Sequence, residues 1–584
     1  MGEVDSNGLY DWAGQFSEGV AVVGLLKTVT YDEGTEFEST ADYYELYLLS
    51  ENGTAKTLVR DDPWSGASPM EYEAEPIVGT TIESAGYTWF CQNGVLNVNG
   101  TPFDTDGNEI KVKGALDDQD IDYYEMTGPC VGGVIPMYGG SAVEDGGQAF
   151  YMDKNGNITR KFPRYSESHI TRVYAPEQDR IVACKGGYDD NWEWVGGFGA
   201  MDMSGNWVIQ PVYDNFRYMM SGRFFCDGLW TVQDSTGRWG AVDKNGNVVI
   251  PLQYEAMNSF SEGMSAVKKD GAFFYIDLTG KRYSIGAVAG GAVSKADAAS
   301  MMSDGVAPVY VAADGKAYCV QNVPKNGVLP AIEGTQNLAR EVYFPDYEEG
   351  SDEIGTLIAV GDIIAVKESG KWGFSKLTFH LDLPDESAMD KWAYDEVCKA
   401  IEAGLVPNSL QNQYRSNITR ADFALLLTEV ATTITEKDLE TLVKDATGKD
   451  LDTLEKAAPF TDTRSTAVIA ANALGILKGT GNGKFEPYAT ISRQDAATML
   501  LRAATAIKAD AMEGWGDKIA AANVQFDDGA AFSGYAKEAI QVMAALDVMK
   551  GTGANKFSPK ETYTRQQSFM TVYRLMTQIL DKAA

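Results

Sequence analysis

Histidine is nearly absent from this chain: His169 and His380 are the two in 584 residues, far apart in sequence. A histidine-rich metal centre is thereby excluded, and Ser–His chemistry has almost no candidates. The six cysteines, Cys91, Cys130, Cys184, Cys226, Cys319 and Cys398, form no Cys-x-x-Cys pair. They give neither a zinc signature nor a disulfide framework and are expected to be small buried hydrophobes. Basic residues are scarce as well, with 49 Lys+Arg against 83 Asp+Glu and a formal charge of −34. Such a field repels nucleic acid and anionic lipid, so neither is expected as a partner. No apolar run approaches the roughly 18 residues needed to span a bilayer, and no membrane insertion is expected. The start, Met1-Gly2-Glu3-Val4-Asp5-Ser6, is polar and acidic. It fits a loose myristoylation pattern, but the expected reading is the junction left where a leader was removed.

Hydrophobic residues make up 44% and aromatics 11%, enough to build cores, and the length points to several domains. Residue usage shifts near position 377. The first 377 residues carry 27 Lys+Arg and 55 Asp+Glu, the remainder 22 and 28. Nine of eleven tryptophans, all but Trp392 and Trp515, lie in the first part, which is rich in Gly, Tyr and Val. The second part is rich in Ala, Leu and Thr with helical periodicity. The expected architecture is multidomain, an all-β repeat array over 1–377 followed by a mostly α-helical region.

The repeat is clearest over 198–281. Phe198-Gly199-Ala200-Met201-Asp202, Gly205-Asn206 and Tyr213-Asp214 recur 41 residues later as Trp239-Gly240-Ala241-Val242-Asp243, Gly246-Asn247 and Tyr254-Glu255. A fixed period of this size marks a stacked array. Asp-Lys-Asn-Gly-Asn at 243–247 and 153–157, and Asp-Thr-Asp-Gly-Asn at 104–108, join short apolar strands. Asn-Gly and Asp-Gly supply the positive φ of hairpin turns, and the neighbouring Val, Ile and Trp suit a pleated, half-buried face. Phe260–Val267 is matched near the start by Phe16–Val23, more weakly by Ser303–Val309, and Lys371–Phe374 is a truncated last unit. These residues resemble the WG-repeat family of bacterial surface and secreted proteins. That resemblance implies a β-hairpin array and no established catalytic residues.

The turns also invite a calcium reading. An EF-hand loop puts glycine at position six and a bidentate Glu at twelve. Here glycine is at position four, and position twelve is Arg164, Tyr254 or Ala115. Hairpin turns are the expected reading; calcium binding is the alternative.

From residue 378 three segments share one layout: an acidic turn, a helix, a loop, then a Thr/Ser-Arg step into a second helix. The acidic turns are at Asp382, Asp462 and Asp527, and the steps are Thr419-Arg420, Ser492-Arg493 and Thr564-Arg565. Thr419, Ser492 and Thr564 are expected N-caps, with Asp422, Asp495 and Gln567 three residues on. The units are 378–430, 459–505 and 525–584, with a charged helical insertion at 431–458 and a connector at 506–524. This triplet resembles three S-layer homology domains.

The resemblance implies a pseudo-threefold bundle that binds secondary cell-wall polysaccharide, often through pyruvylated sugars, and places the protein outside the cell at the wall or S-layer. It gives Arg420, Arg493 and Arg565 the ligand-contact role. A guanidinium can take a pyruvyl carboxylate bidentately beside a helix N-terminus. Asp382, Asp462 and Asp527 would accept sugar hydroxyls, and Trp392 would offer a ring face. The alternative for each Arg and Asp is a cap or bridge inside the bundle. The first segment lacks the Gly-rich loop and Phe-x-Pro, and the third has Gln566-Gln567 in place of an acid.

The leading expectation is a non-enzymatic surface protein, wall-bound by the helical region, with the array facing an unidentified partner. No catalytic residue, metal or cofactor is expected. A wall-anchored enzyme acting on glycans or peptides is the second reading, and an intracellular scaffold the third. Tryptophans at hairpin period are expected in the core rather than on sugars.

Overall fold

The structure, a computed structural model, describes residues 91–335 and 382–580 with short breaks, among them 118–120, 141–145, 189–193, 218–222 and 509–514; outside those spans it describes a few strands. Phe16–Gly19 of the early repeat copy and the 377/378 boundary lie outside the described residues.

Five antiparallel sheets succeed one another over 123–329. Sheet I comprises Tyr123–Met126, Ile135–Gly140, Gly147–Met152 and Ile158–Arg164. Sheet II comprises Ile170–Val173, Arg180–Tyr188, Trp194–Asp202 and Trp207–Tyr213. Sheet III holds Asn215–Phe216, Leu229–Gln233, Trp239–Asp243 and Val248–Tyr254. Sheet IV holds Ala256–Met257, Met264–Lys269, Ala272–Asp277 and Arg282–Ile285, with Val328–Leu329 added in parallel. Sheet V holds Ala298–Ala299, Val306–Val311 and Lys316–Gln321. Chain neighbours pair in each, apart from the added Val328–Leu329 and the short Phe225–Cys226, which pairs with Leu229–Gln233 off the main path of sheet III.

The expected half-buried face is corrected by the packing. Strand neighbours point into different cores, because successive sheets stack face to face. Ala149 and Tyr151 enter the core shared by sheets I and II, while Phe150 and Met152 enter the core on the other side of sheet I. Phe273 and Tyr275 pack towards sheet V, Phe274 and Ile276 towards sheet III. A strand buried on both faces must be apolar throughout, which is why these segments are continuous rather than alternating. Trp230 and Trp239 are buried, as the core reading of the tryptophans expects. Cys130, Cys184, Cys226, Cys319 and Cys398 are buried free thiols.

The landmark residues have local causes. Trp239 pairs with Tyr254 as Phe198 pairs with Tyr213, and a bulge follows each pair. The bulge brings the facing backbone so close that a Cβ on Gly199 or Gly240 would lie 2.5 or 2.6 Å from the carbonyl oxygen of Ile209 or Ile250. Glycine follows the aromatic residue because nothing larger fits. In the Asp-x-x-Gly-Asn turns the aspartate closes its own loop. Asp153 Oδ1 accepts from Asn155 N at 2.8 Å and Asn157 N at 2.9 Å, and Asp243 does the same with Asn245 and Asn247. Only the glycine of each such turn has positive φ, +85° at Gly156 and +84° at Gly246. These are type I turns with a following bulge rather than two-residue hairpins. Two-residue turns with both central φ positive do occur, at Asp227-Gly228, Glu262-Gly263 and Asp304-Gly305.

The helical region contains α1 (Lys391–Glu402), α2 (Arg420–Thr435), α3 (Leu439–Thr447), α4 (Leu451–Ala457), α5 (Thr466–Ala473), α6 (Arg493–Ile507), α7 (Gly516–Ala522), α8 (Lys537–Ala545) and α9 (Arg565–Leu580). The segments before α2, α6 and α9 meet in a ring of backbone hydrogen bonds. Ile418 N donates to Tyr563 O, Tyr563 N to Ile491 O, and Ile491 N to Ile418 O, at 2.8, 3.1 and 3.2 Å. Three helical pairs, α1–α2, α5–α6 and α8–α9, are thereby arranged about one axis over a shared apolar core. Thr419, Ser492 and Thr564 each accept from the backbone N–H three residues on, as N-caps do. Gln567 returns a contact to Thr564 N at 3.0 Å, completing a capping box.

Candidate functional site

The three arginines that open α2, α6 and α9 perform one task in three places. Arg420 Nε donates to Phe485 O at 2.8 Å and Arg493 Nε to Phe557 O at 2.8 Å, each reaching the loop of the next unit. Arg565 closes the circle on the first unit, donating to Asn412 Oδ1 at 2.6 Å and pairing with Asp422 at 3.1 Å. Arg420 and Arg493 also stack on Phe485 and Phe557, 4.7 and 4.9 Å from the ring centroids. Arg493 and Arg565 are 4% and 9% exposed, and Arg420 is half-buried. Burial lowers the pKa of the Arg420 and Arg493 guanidinium groups, but both remain cations at neutral pH. All three bridge units inside the bundle, and Arg420 retains the most open face.

The acidic turns are less uniform than the sequence layout. Asp462 accepts from Phe485 N and Glu486 N, both at 2.8 Å. Its counterpart is Asp528, which accepts from Phe557 N and Ser558 N at 3.0 and 2.8 Å. Asp527 instead takes Asn555 Nδ2 at 2.8 Å. Asp382 is drawn to the β array, where Lys325 Nζ lies at 2.6 Å and Gln321 holds both its carboxylate and its backbone N–H. A second contact between the two regions puts the Arg223 guanidinium 4.1 Å from the Tyr488 ring centroid.

Trp392 begins α1 with 57% of its surface exposed, and Tyr535, one residue before Ala536 as Trp392 precedes Ala393, is equally exposed. Tyr535 Oη donates to Asp495 at 2.6 Å. The glutamine pair in the third unit also has a use. Gln566 binds Asp390 through both its amide atoms, as Gln494 binds Ser533, so each glutamine clasps the start of the next unit.

Two of the seams between units can be compared position by position. In the α9–α1 seam Arg574 and Glu396 form a bidentate pair at 2.6 and 3.0 Å. In the α6–α8 seam Arg502 occupies Arg574's place, nine residues after the helix-opening arginine, and Ala539 occupies that of Glu396, three residues after the buried alanine of the helix start. The pair cannot form, and a groove of about 470 Å³ opens there, lined by Arg502, Thr498, Thr505, Tyr535 and Glu538 among others. The Arg502 side chain forms no hydrogen bond or ion pair among the described residues.

Among the described residues no group of three His, Cys, Asp or Glu could hold a metal ion, and no helix is long and apolar enough to cross a membrane. The turn aspartates spend their oxygens on their own backbone.

This combination defines a class: a β-repeat array joined to a helical bundle of wall-associated type. The model of the WG containing repeat matches residues 198–224 and 239–271, and that of the S-layer homology domain matches 459–497 and 525–567. The chain is 27% identical over 187 residues to an S-layer protein of Bacillus thuringiensis subsp. finitimus, covering 32% of this chain and 20% of that protein. It is 26% identical over 166 residues to an endoglucanase of Bacillus sp. (strain KSM-635), covering 28% and 15%. The chain thus spans a fifth or less of the length of these two relatives. An uncharacterized protein of Listeria monocytogenes EGD-e is similar in structure at 10% identity, covering 62% of this chain and 93% of that one, but at a TM-score of 0.25 it carries no argument. The S-layer homology segments and the S-layer relatives place the protein outside the cell, associated with the wall or surface layer.

Proposed function

We propose that the chain is a non-catalytic wall anchor that displays its β array outward. Residues 378–430 serve as a third S-layer homology unit, on the support of the hydrogen-bond ring that Ile418 shares with Ile491 and Tyr563. The ligand is secondary cell-wall polysaccharide, with a carboxylate-bearing sugar such as a pyruvyl ketal as its recognised unit. The observation that carries this reading is the α6–α8 groove, which lies between the two segments matched to that domain and holds Arg502, without an ion-pair partner among the described residues, beside the exposed ring of Tyr535. A guanidinium without a carboxylate partner is suited to an acidic sugar, and the ring to an apolar sugar face. Arg420 and Trp392 are secondary contacts, being the opener with an open face and the exposed aromatic of the first unit. Arg493 and Arg565 act by holding the seams in register.

The test is co-sedimentation of the full chain with cell-wall sacculi before and after removal of the secondary polymer. Binding is expected to depend on the polymer. Arg502→Gln should weaken it, and so should Ala539→Glu, which supplies the missing partner of Arg502 as Glu396 does for Arg574. Equal binding to stripped sacculi would overturn the reading. Retention of full binding by both variants would remove the groove from it.

A further inference from the structure

A second groove, of about 280 Å³, lies in the array between sheets I and II. That is close to the lower end of small-molecule sites, about 300 Å³. It is lined by Arg160, Lys161 and Lys185, by Trp207, and by Ser168 and Ser204 among others, and no carboxylate is among the lining residues. In a region carrying 55 acidic against 27 basic residues, a cleft walled by cations is the opposite of its surroundings.

The repeat shows how the groove arises. Arg160 pairs with Tyr151 at the register position where Ile209 pairs with Ala200 and Ile250 with Ala241. Those isoleucines are 3% and 0% exposed and fill the cores between their sheets. Arg160 does not fill its core. It turns towards sheet II, donates to Met203 O at 3.0 Å and stacks 4.7 Å from the Phe162 centroid. Trp207 likewise stands where the adjacent sheets carry Ile158 and Val248. Lys161 is neutralised by Asp117 at 2.8 Å. Lys185 is half-buried on the second strand of sheet II, and its side chain forms no hydrogen bond or ion pair among the described residues. An ammonium partly removed from water and without a paired anion among the described residues is suited to an anionic ligand.

We propose that this groove binds an acidic saccharide, with the sugar ring on Trp207 and its carboxylate or phosphate held by Lys185 and Arg160. An indole face suits the apolar side of a pyranose, and a point charge beside a guanidinium suits an oxyanion. The reading is independent of the bundle, since none of these residues belongs to it.

The experiment titrates the full chain with trigalacturonate, glucose 6-phosphate and neutral cellotriose, following heat of binding and tryptophan fluorescence. At least one charged ligand is expected to bind, more weakly as salt is raised, and cellotriose is not. Which charged ligand binds decides between carboxylate and phosphate. Lys185→Gln is expected to weaken binding about tenfold or more, the usual effect of losing a charged hydrogen bond. Trp207→Val should remove the fluorescence change. Arg160→Ile, which restores the neighbouring repeats' residue, should abolish binding while leaving the melting temperature equal or higher. Co-sedimentation with walls should be unchanged in all three variants. The proposal is overturned if neither charged ligand binds, if cellotriose binds equally well, or if Lys185→Gln and Arg160→Ile both bind as the parent does.

Discussion

The β array and the helical bundle are both built from repeats, yet they join their repeats differently. In the array, successive sheets stack apolar faces, so the two central strands of sheets I to IV each serve two cores. In the bundle, units meet through long polar side chains, with Arg420, Arg493 and Arg565 reaching the neighbouring loop and Gln494 and Gln566 clasping the next helix start. The consequence is the same in one respect. At two places a groove accompanies a departure from the repeat: Arg160 in place of isoleucine, Ala539 in place of glutamate. In both grooves a cation has no ion-pair partner among the described residues, which makes these two departures places to look for ligands.

The comparison can be broken most severely in the array. Trp230→Ala, at a fully buried site between sheets II and III, should cost about 3–5 kcal/mol. Urea unfolding followed by tryptophan fluorescence and by helical circular dichroism would show an array transition shifted far below that of the bundle. Coincident transitions, both shifted, would mean that the two regions unfold as one. Gly240→Ala should cost about 1–3 kcal/mol, because its Cβ would meet Ile250 O at 2.6 Å. Val249→Ala on the exposed side of the same strand pair is the control and should change stability by less than about 0.5 kcal/mol.

A milder change separates the bundle's seams from its helices. Thr419→Ala removes the cap on α2 and should cost about 1 kcal/mol in thermal unfolding without altering the ring of backbone bonds. A separate effect, read against pH, lies at the array's turns. Glu262 accepts from Gly305 N at 2.8 Å beside Asp227 and Asp304, and burial pushes its pKa from 4.5 up to about 8. Its pKa is higher folded than unfolded, so the unfolded chain gives up this proton first as pH rises. The stability difference between the parent and Glu262→Gln should therefore turn against the parent between about pH 4.5 and about pH 8. A difference that stays flat across that window would show that Glu262 is solvated in the folded protein.

Much of this was legible in the residues. The 41-residue period, the Asp-x-x-Gly-Asn turns and the three N-caps rest on local chemistry, namely positive φ at glycine and a side-chain oxygen facing an orphan N–H. Local chemistry also marked the arginines as a set, and the turn acids in outline. It did not separate Asp527 from Asp528, adjacent carboxylates of which one reaches the Phe557 and Ser558 amides across a loop. Nor did it show that Asp382 would be taken by Lys325 and Gln321, 57 and 61 residues away in the chain.

The sequence by itself determined the division into a β array and a helical region, the repeat unit of each, and the residues that start helices and turn hairpins. Each of these depends on neighbours within a few positions, where spacing is geometry. Only the tertiary structure decided that array strands are buried on both faces, that the helix-opening arginines turn inward across seams, and that Lys185 and Arg502 line grooves. Those outcomes depend on which carboxylate or sheet face lies opposite, and folding brings that partner from far along the chain.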